Sequence, residues 1–304
     1  MMHVGRDRLL RYHAQGGITV SFEFFPPKND KMEVVLWEAI RRLGPLNPKF
    51  ISVTYGAGGT TRERTHGTVA RIVRETGLKP AAHLTCVGAS KGEVDDVVRA
   101  YWDAGVRHIV ALRGDPATGV GTTYEPHPQG YRNAADLVAG IRRIADFEVS
   151  VAAYPEKHPE SPTVEADIDN LKAKIDAGAT RAISQFFFDN AHYFRFMEKV
   201  RRRGITVPVV PGIVPMHNFR QVHSFATRCG ATIPELVARR FDDLDDDPET
   251  MKLIAAAVAA EQVMDLAGFG IKDFHFYTLN RPDLVYAICH LLGLKPGKAA
   301  AAAA

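Results

Sequence analysis

Ile18-Thr-Val-Ser-Phe-Glu-Phe-Phe25, followed at once by Pro26-Pro27, is the stretch on which the fold turns. The run is β-branched and aromatic, and it stops at two residues that cannot donate to a strand ladder. It therefore reads as a first strand. In a doubly wound dinucleotide-binding sheet, the first strand runs into a glycine fingerprint. Here that place is taken by Glu23-Phe-Phe-Pro-Pro27. The glycine-rich stretch Gly56-Ala-Gly-Gly59 comes only after the second strand and lacks G-x-G-x-x-G spacing.

Working outward, apolar β-branched runs alternate with amphipathic helical patterns along the rest of the chain. Asp30 is expected to cap a helix to about residue 43. Strands are expected at 50–54, 81–85, 108–112, 148–153, 181–185, 207–213 and 271–277. Helices are expected to about 75 and at 91–104, 134–144, 164–177, 191–203, 219–228 and 282–292, with an inserted helical stretch over 234–267. Eight strand-then-helix units without a linker predict an α/β fold, a (β/α)8 TIM barrel with a helical insertion before the last strand. One barrel domain over 1–304 is expected, with residues 1–16 as an N-terminal extension and 297–304 as a disordered, low-complexity tail.

Composition sets the limits. The chain has 304 residues, 46% hydrophobic and 24% charged, which excludes a disordered, collagen-like or disulfide-stapled protein. Net charge is 38 − 35 = +3, and the densest basic run, Arg201-Arg202-Arg203, closes a helix before Gly204, where it complements the helix dipole. No nucleic-acid partner is expected. Cys86, Cys229 and Cys289 form no CxxC pair, so neither a zinc site nor a redox dithiol is indicated. The N-terminus has no apolar signal core and no run approaches a membrane span, so a cytoplasmic protein without membrane contact is expected.

In a barrel, chemistry gathers at the C-terminal ends of the strands. Those positions hold Glu23, Thr54, His83, Arg113-Gly114-Asp115, Tyr154, Gln185 and Arg281. Facing inward among Phe22, Phe24 and Phe25, Glu23 would be partly desolvated, with its pKa raised toward neutrality as a general acid requires. The alternative is a rim carboxylate paired with an arginine. Arg113 suits a phosphate or carboxylate, and Asp115 suits the N–H groups of a heterocycle. His83 is either a satisfied core histidine or a ligand contact. No metal-ligand spacing occurs, and the acidic run 242–247 reads as a turn capping the helix after Pro248. Lys174 falls within a helix, where solvation is the ordinary outcome and only a phosphate or ring contact would change it.

Seven motifs in order resemble the methylenetetrahydrofolate reductase family in its short bacterial form: Ser-Phe-Glu23-Phe-Phe-Pro-Pro, Ser-Val-Thr54-Tyr-Gly, His83-Leu-Thr-Cys, Leu-Arg113-Gly-Asp115, Ala-Ala-Tyr154-Pro-Glu, Gln185-Phe-Phe-Phe-Asp and Phe-Tyr-Thr-Leu-Asn-Arg281. The resemblance implies a barrel flavoprotein without a regulatory domain. Its tightly but non-covalently held FAD is reduced by NADH or NADPH and passes hydride to 5,10-methylenetetrahydrofolate in a ping-pong cycle. The product, 5-methyltetrahydrofolate, feeds methionine synthesis, and the family forms homo-oligomers, so a dimer or tetramer is expected. By resemblance Glu23 is the acid that protonates the folate N10, and Asp115 contacts the pterin and adjusts the flavin. Gln185, Phe219 and Arg281 match folate-binding positions. Thr54 matches a nicotinamide contact; Tyr55, Ala57, His83, Arg113, Gly114, Asp115, Tyr154, His158, Asp167, Asn170 and Lys174 match cofactor-binding positions. The chain departs from the pattern in a longer loop over 116–132 and in Ala173, where an arginine is expected. Two rivals remain, a pterin-dependent methyltransferase barrel without flavin and a non-catalytic folate- or flavin-binding protein. A visible flavin spectrum that bleaches under NADH separates all three.

Overall fold

The computed structural model describes residues 17–55, 62–116 and 124–297. The N-terminal extension, Ala57 with the glycine-rich stretch 56–59, the middle of the 116–132 loop and the tail beyond 297 lie outside the described residues. β1 (Thr19–Phe24) leads to α1 (Asp30–Leu43), β2 (Ile51–Val53) to α2 (Arg62–Glu75), β3 (Pro80–Thr85) to α3 (Lys91–Asp103) and β4 (His108–Leu112) to α4 (Ala134–Ile144). β5 (Glu148–Ala153) leads to α5 (Val164–Asp176), and β6 (Arg181–Ser184) to α6 (Asn190–Arg202). The short strands β7 (Val209–Val210) and β8 (Gly212–Ile213) precede α7 (Phe219–Cys229). The insertion holds α8 (Glu235–Ala238) and α9 (Pro248–Gly268), before β9 (Asp273–Tyr277) and α10 (Pro282–Leu291).

All pairings are parallel, in the order β7-β6-β5-β4-β3-β2-β1-β9-β8. Only Pro211 separates β7 from β8, so the two ends of that order meet and the sheet wraps into the expected (β/α)8 barrel. The strand expected over 207–213 breaks because Pro211 has no N–H to donate. Its carbonyl still accepts from His275 N at 3.0 Å, while β7 pairs with β6 and β8 with β9. Side chains close the seam. Gly212 N donates to Ser184 Oγ at 2.9 Å, and Tyr277 OH donates to the Ser184 carbonyl at 2.8 Å.

Local chemistry sets the helix starts. Asn29, not Asp30, caps α1, its side chain accepting from Met32 N at 3.0 Å; Asp30 is instead the first helical residue, where its charge suits the dipole. Ser90 and Glu93 form a reciprocal capping box at α3. Asp247 caps α9 just before Pro248, as the acidic run suggests. Arg202 ends α6, with Gly204 left-handed (φ 76°) just beyond.

Strand alternation divides the barrel wall into two chemistries. Outward residues such as Val20, Phe22, Phe24, Ile51, Val53, Leu84, Phe274 and Phe276 join the helices' apolar faces in one large buried cluster. The inward set is largely polar: Ser21, Ser52, His83, His108, Ser150 and His275 are all buried, beside a small apolar group of Phe50, Ala81, Val110 and Ile183. Each fully buried large apolar side chain contributes roughly 1.5–3 kcal/mol. The outer layer therefore carries the stability, and the inside is left for chemistry.

The seam at Gly212 generates a test. A Cβ there would lie 2.3 Å from the Ser184 carbonyl oxygen and 2.5 Å from the Tyr277 ring, and the first of these is backbone. Gly212→Ala is expected to lower unfolding free energy by about 1–3 kcal/mol, the scale of core overpacking, read from the urea midpoint. An unchanged midpoint would refute the close approach.

Candidate active site

Strand alternation turns Glu23 into the barrel while Phe22 and Phe24 point out to the helices, so the surroundings of the carboxylate are set by other strands. His83 from β3 and His275 from β9 both approach it. Their Nε2 atoms lie 3.3 and 3.6 Å from the same oxygen, Glu23 Oε2, and the Glu23 side chain keeps 14% exposure. His275 is held from behind by Ser21 Oγ, 2.8 Å from Nδ1, its register partner on β1. Below, His108 Nε2 meets Ser150 Oγ at 2.8 Å, and Phe50 packs edge-on to His108 and stacks on His275.

The electrostatics overturn one expectation. Burial does push the Glu23 carboxyl upward, but the electrostatic pull of His83 and the contacts with His275 and His83 outweigh it, and the pKa falls to about 2. Burial lowers His275, and it lowers His108 to about 3. At neutral pH these neighbours leave Glu23 ionised beside a neutral His275. The desolvation argument missed this because the charges that matter lie on strands remote in sequence. Ser52 Oγ, His83 Nε2, Thr85 Oγ1 and His275 Nε2 are buried on inward strand positions without an aligned hydrogen-bond partner among the described residues. They leave unused polar capacity around Glu23.

Beside this cluster a cavity of about 440 Å³ opens between β4, β5 and α5. Its lining brings together Arg113, Gly114, Asp115, Tyr154, His158, Asn170 and Lys174, together with Glu160 and Ser161. Asp167, Asn170 and Lys174 are spaced i, i+3, i+7, which places them on one face of α5. Lys174 is buried, contrary to the usual helical lysine; its Nζ donates to the Ala152 carbonyl at 2.6 Å, and burial lowers its pKa to about 8 despite Asp167. Arg113 forks onto Glu160 at 2.6 and 3.0 Å. Burial raises the Tyr154 hydroxyl well above the ordinary phenol, and its ring meets the His158 ring edge-on at 4.7 Å.

The loop between β5 and α5 is pinned from several sides. Asp167 accepts from His158 N at 3.0 Å and from Ser161 Oγ at 3.1 Å, which makes it a brace for the cavity wall. Lys157, left-handed at φ 88°, donates to the His158 and Ser161 carbonyls, and Glu156 ties the loop to Thr232, just before the insertion. A second clamp holds the end of β1. Thr278 donates to the Glu23 carbonyl through N and Oγ1, and the Asn280 side chain pairs with both N and O of Phe25 at 2.9 and 3.0 Å. Leu279 and Asn280 are both left-handed, at φ 52° and 54°. That strain turns Arg281 onto the start of α10.

The other expected residues sit apart from the cavity lining. His83 belongs to the Glu23 cluster. Thr54 is half-buried, with its N donating to Phe24 O at 2.9 Å, and Tyr55 is buried. Gln185 follows β6, its Oε1 accepting from Phe186 N. Phe219 begins α7 and stacks on Phe241 of the insertion, with centroids 5.3 Å apart. Arg281 is exposed and acts electrostatically on His217. Sequence reasoning missed Ser21, His275 and Glu160. The signal for the first two was present: Ser21 and Glu23 alternate with phenylalanines in β1, and His275 lies between Phe274 and Phe276 in β9.

With this geometry in place, comparison with known proteins is informative. The family model described as Methylenetetrahydrofolate reductase matches residues 8–293. The 5,10-methylenetetrahydrofolate reductase of Escherichia coli (strain K12) is 52% identical over 283 residues, 93% of each chain. That of Buchnera aphidicola subsp. Acyrthosiphon pisum (strain APS) is 46% identical over 280 residues, 92% of this chain and 94% of that one. A rice protein (Oryza sativa subsp. japonica) named probable methylenetetrahydrofolate reductase (NADH) is 34% identical over 299 residues, 95% of this chain but 50% of that protein. Among solved structures, a Clostridium thermocellum protein that binds two copies of 5-methyl-5,6,7,8-tetrahydrofolic acid superposes with TM-score 0.59 at 12% identity, covering 93% of this chain and 96% of that one. At that identity it attests the fold alone. Among the described residues, no helix is long and apolar enough to cross a membrane. The chain belongs to the methylenetetrahydrofolate reductase family, with the length of its bacterial members.

Proposed function

We propose that this chain reduces 5,10-methylenetetrahydrofolate to 5-methyltetrahydrofolate in a ping-pong cycle, using NADH or NADPH and a non-covalently held FAD. The observation that carries the reading is Glu23: an inward carboxylate at the C-terminal end of a barrel strand, with two histidine nitrogens close to one of its oxygens. Such a group suits a substrate that must be protonated before it is reduced. The folate's five-membered ring opens to an electrophilic iminium only when N10 receives a proton.

The cavity fits the cofactor's chemistry. Two cationic side chains, Arg113 and Lys174, face one space with the start of α5 and the Asn170 amide, a donor set suited to a diphosphate. When bound there, FAD supplies the two-electron transfer between nicotinamide and folate. Arg113 and Lys174 neutralise the anionic bridge, the His158–Ser161 loop shapes the wall, and Asp115 offers a carboxylate at the rim to ring N–H groups. Gln185 and Arg281 take the folate from the far side of the mouth, and Thr54 the nicotinamide. Phe219 stacks on the substrate by leaving Phe241. Glu23 is ionised in the open site, so it becomes an acid only when the bound folate covers it. Covering strengthens desolvation, already the largest upward influence on this carboxyl.

Glu23→Gln keeps the shape and removes the acid. It is expected to slow folate-dependent reoxidation of the reduced enzyme by about 10²–10⁴-fold, the range for a positioned general acid. FAD content and reduction by NADH should stay near wild type when rapid mixing follows each half separately. Equal slowing of both halves would make Glu23 merely positional. A colourless protein that takes up no FAD would end the flavoprotein reading.

Lys174 supplies a test of opposite sign. Its folded pKa, about 8, lies below the ordinary 10.5, so the buried ammonium penalises folding fully below pH 8 and ceases to do so as pH rises through 10.5. Lys174→Met should therefore stabilise the ligand-free protein by about 1–2 kcal/mol at neutral pH, after allowing for the lost bond to Ala152, while weakening FAD binding. The stability gain should shrink between pH 8 and 10.5. A variant that is less stable at neutral pH would contradict the assignment.

A further inference from the structure

Glu160 is a charged residue in the cavity that the proposed chemistry does not use. Its carboxylate takes both ends of the Arg113 fork, at 2.6 and 3.0 Å, while Arg113 Nε donates to the Gly114 carbonyl at 3.2 Å and the Tyr124 ring covers the guanidinium at 4.5 Å. A guanidinium so engaged has no free fork to offer an incoming anion. Lys174, in the same cavity, is different: its Nζ meets a carbonyl oxygen, and no carboxylate lies within ion-pair distance of it among the described residues.

The backbone beneath Glu160 is fixed. Glu160 N donates to His158 Nδ1 at 3.1 Å, Lys157 Nζ bridges the carbonyls of His158 and Ser161, and Asp167 holds both ends of that turn. None of these bonds uses the Glu160 carboxylate, so its displacement leaves the loop's own contacts intact. Its charge is firmly seated meanwhile, because the Arg113 hydrogen bond holds its carboxyl below the usual carboxylate range and the same contact raises Arg113. With Arg113 and Glu160 only 24% and 26% exposed, solvent screens the pair incompletely.

We propose that Glu160 is an internal stand-in for the cofactor's diphosphate: its carboxylate holds Arg113 in the ligand-free protein and must be displaced for a phosphate-bearing ligand to bind. This rests on the reading that the cavity takes FAD. It makes Glu160 a residue that sets how tightly and how fast phosphate-bearing ligands load, and it spares a cavity that already holds Lys174 a second uncompensated cation. The cost falls only on ligands that need the Arg113 fork.

The test uses the full ligand-free chain, titrated calorimetrically with ADP, with FAD and with riboflavin, which lacks phosphate. Glu160→Gln keeps the size and removes the charge, and Glu160→Ala repeats the loss without an amide to reoccupy the fork. Both should bind ADP and FAD about tenfold more tightly than wild type, the scale of one partly exposed ion pair, with riboflavin unchanged. ADP affinity that is unchanged or weaker in both variants would overturn the proposal and make Glu160 a support for Arg113. A gain that extends equally to riboflavin would also overturn it. If wild type binds neither FAD nor ADP, the cofactor reading falls and takes this inference with it; if wild type binds FAD and the variants match it, only the inference falls.

Discussion

A carboxylate inside a barrel needs positive charge or polar partners close by, because desolvating an unpaired anion costs several kcal/mol. Glu23 obtains them from His275 on the neighbouring strand β9 and from His83 on β3, one strand beyond β2, two residues far apart in sequence. Much else in the structure follows from that requirement. The inner wall must be polar enough to seat the histidines, so Ser21 and Ser150 replace aliphatic residues on inward positions. An inner wall of that kind contributes little to stability, and the apolar layer between strands and helices carries it instead. The end of β1 is clamped by the turn after β9, which keeps the carboxylate in register with its two partners.

Strain and unfavourable charge collect around the mouth. Lys174 is buried with a depressed pKa, Lys157, Leu279 and Asn280 are left-handed, and polar atoms without a partner among the described residues line the inner face. A region optimised for stability alone would remove most of these features. Lys174, Leu279 and Asn280 lie toward the C-terminal ends of the strands, the end at which barrels carry their chemistry, while the opposite face carries ordinary ion pairs such as Lys49 with Asp273.

The order of strands and helices was legible because each element carries its own periodicity. The expected helix over 134–144 and strand over 148–153 coincide with α4 and β5, and the insertion falls before the last strand. Pro211 split a strand that its apolar run had suggested was continuous, and Asn29 rather than Asp30 took the cap. The cavity residues from Arg113 to Lys174 were named through family resemblance, and the i, i+3, i+7 spacing on α5 explains why Asn170 and Lys174 line the cavity on the same helix face as Asp167, which braces its wall. What the sequence hid was pairing across the barrel. No local pattern links Glu23 to His275, Arg113 to Glu160, or Phe219 to Phe241, and each of these contacts changes how its residue behaves. The expectation of a raised Glu23 pKa failed for that reason alone.

The protonation of Glu23 tests the account most directly. Carbon-13 labelling of glutamate, with the Glu23 carboxyl signal assigned by its loss in Glu23→Gln, would follow ionisation across pH in the ligand-free protein and with folate bound. The account predicts a carboxylate that stays ionised through the mildly acidic range when the site is open, in keeping with a pKa near 2, and that gains a proton near neutrality only in the folate complex. A carboxyl that already titrates near neutral pH in the open barrel would contradict it.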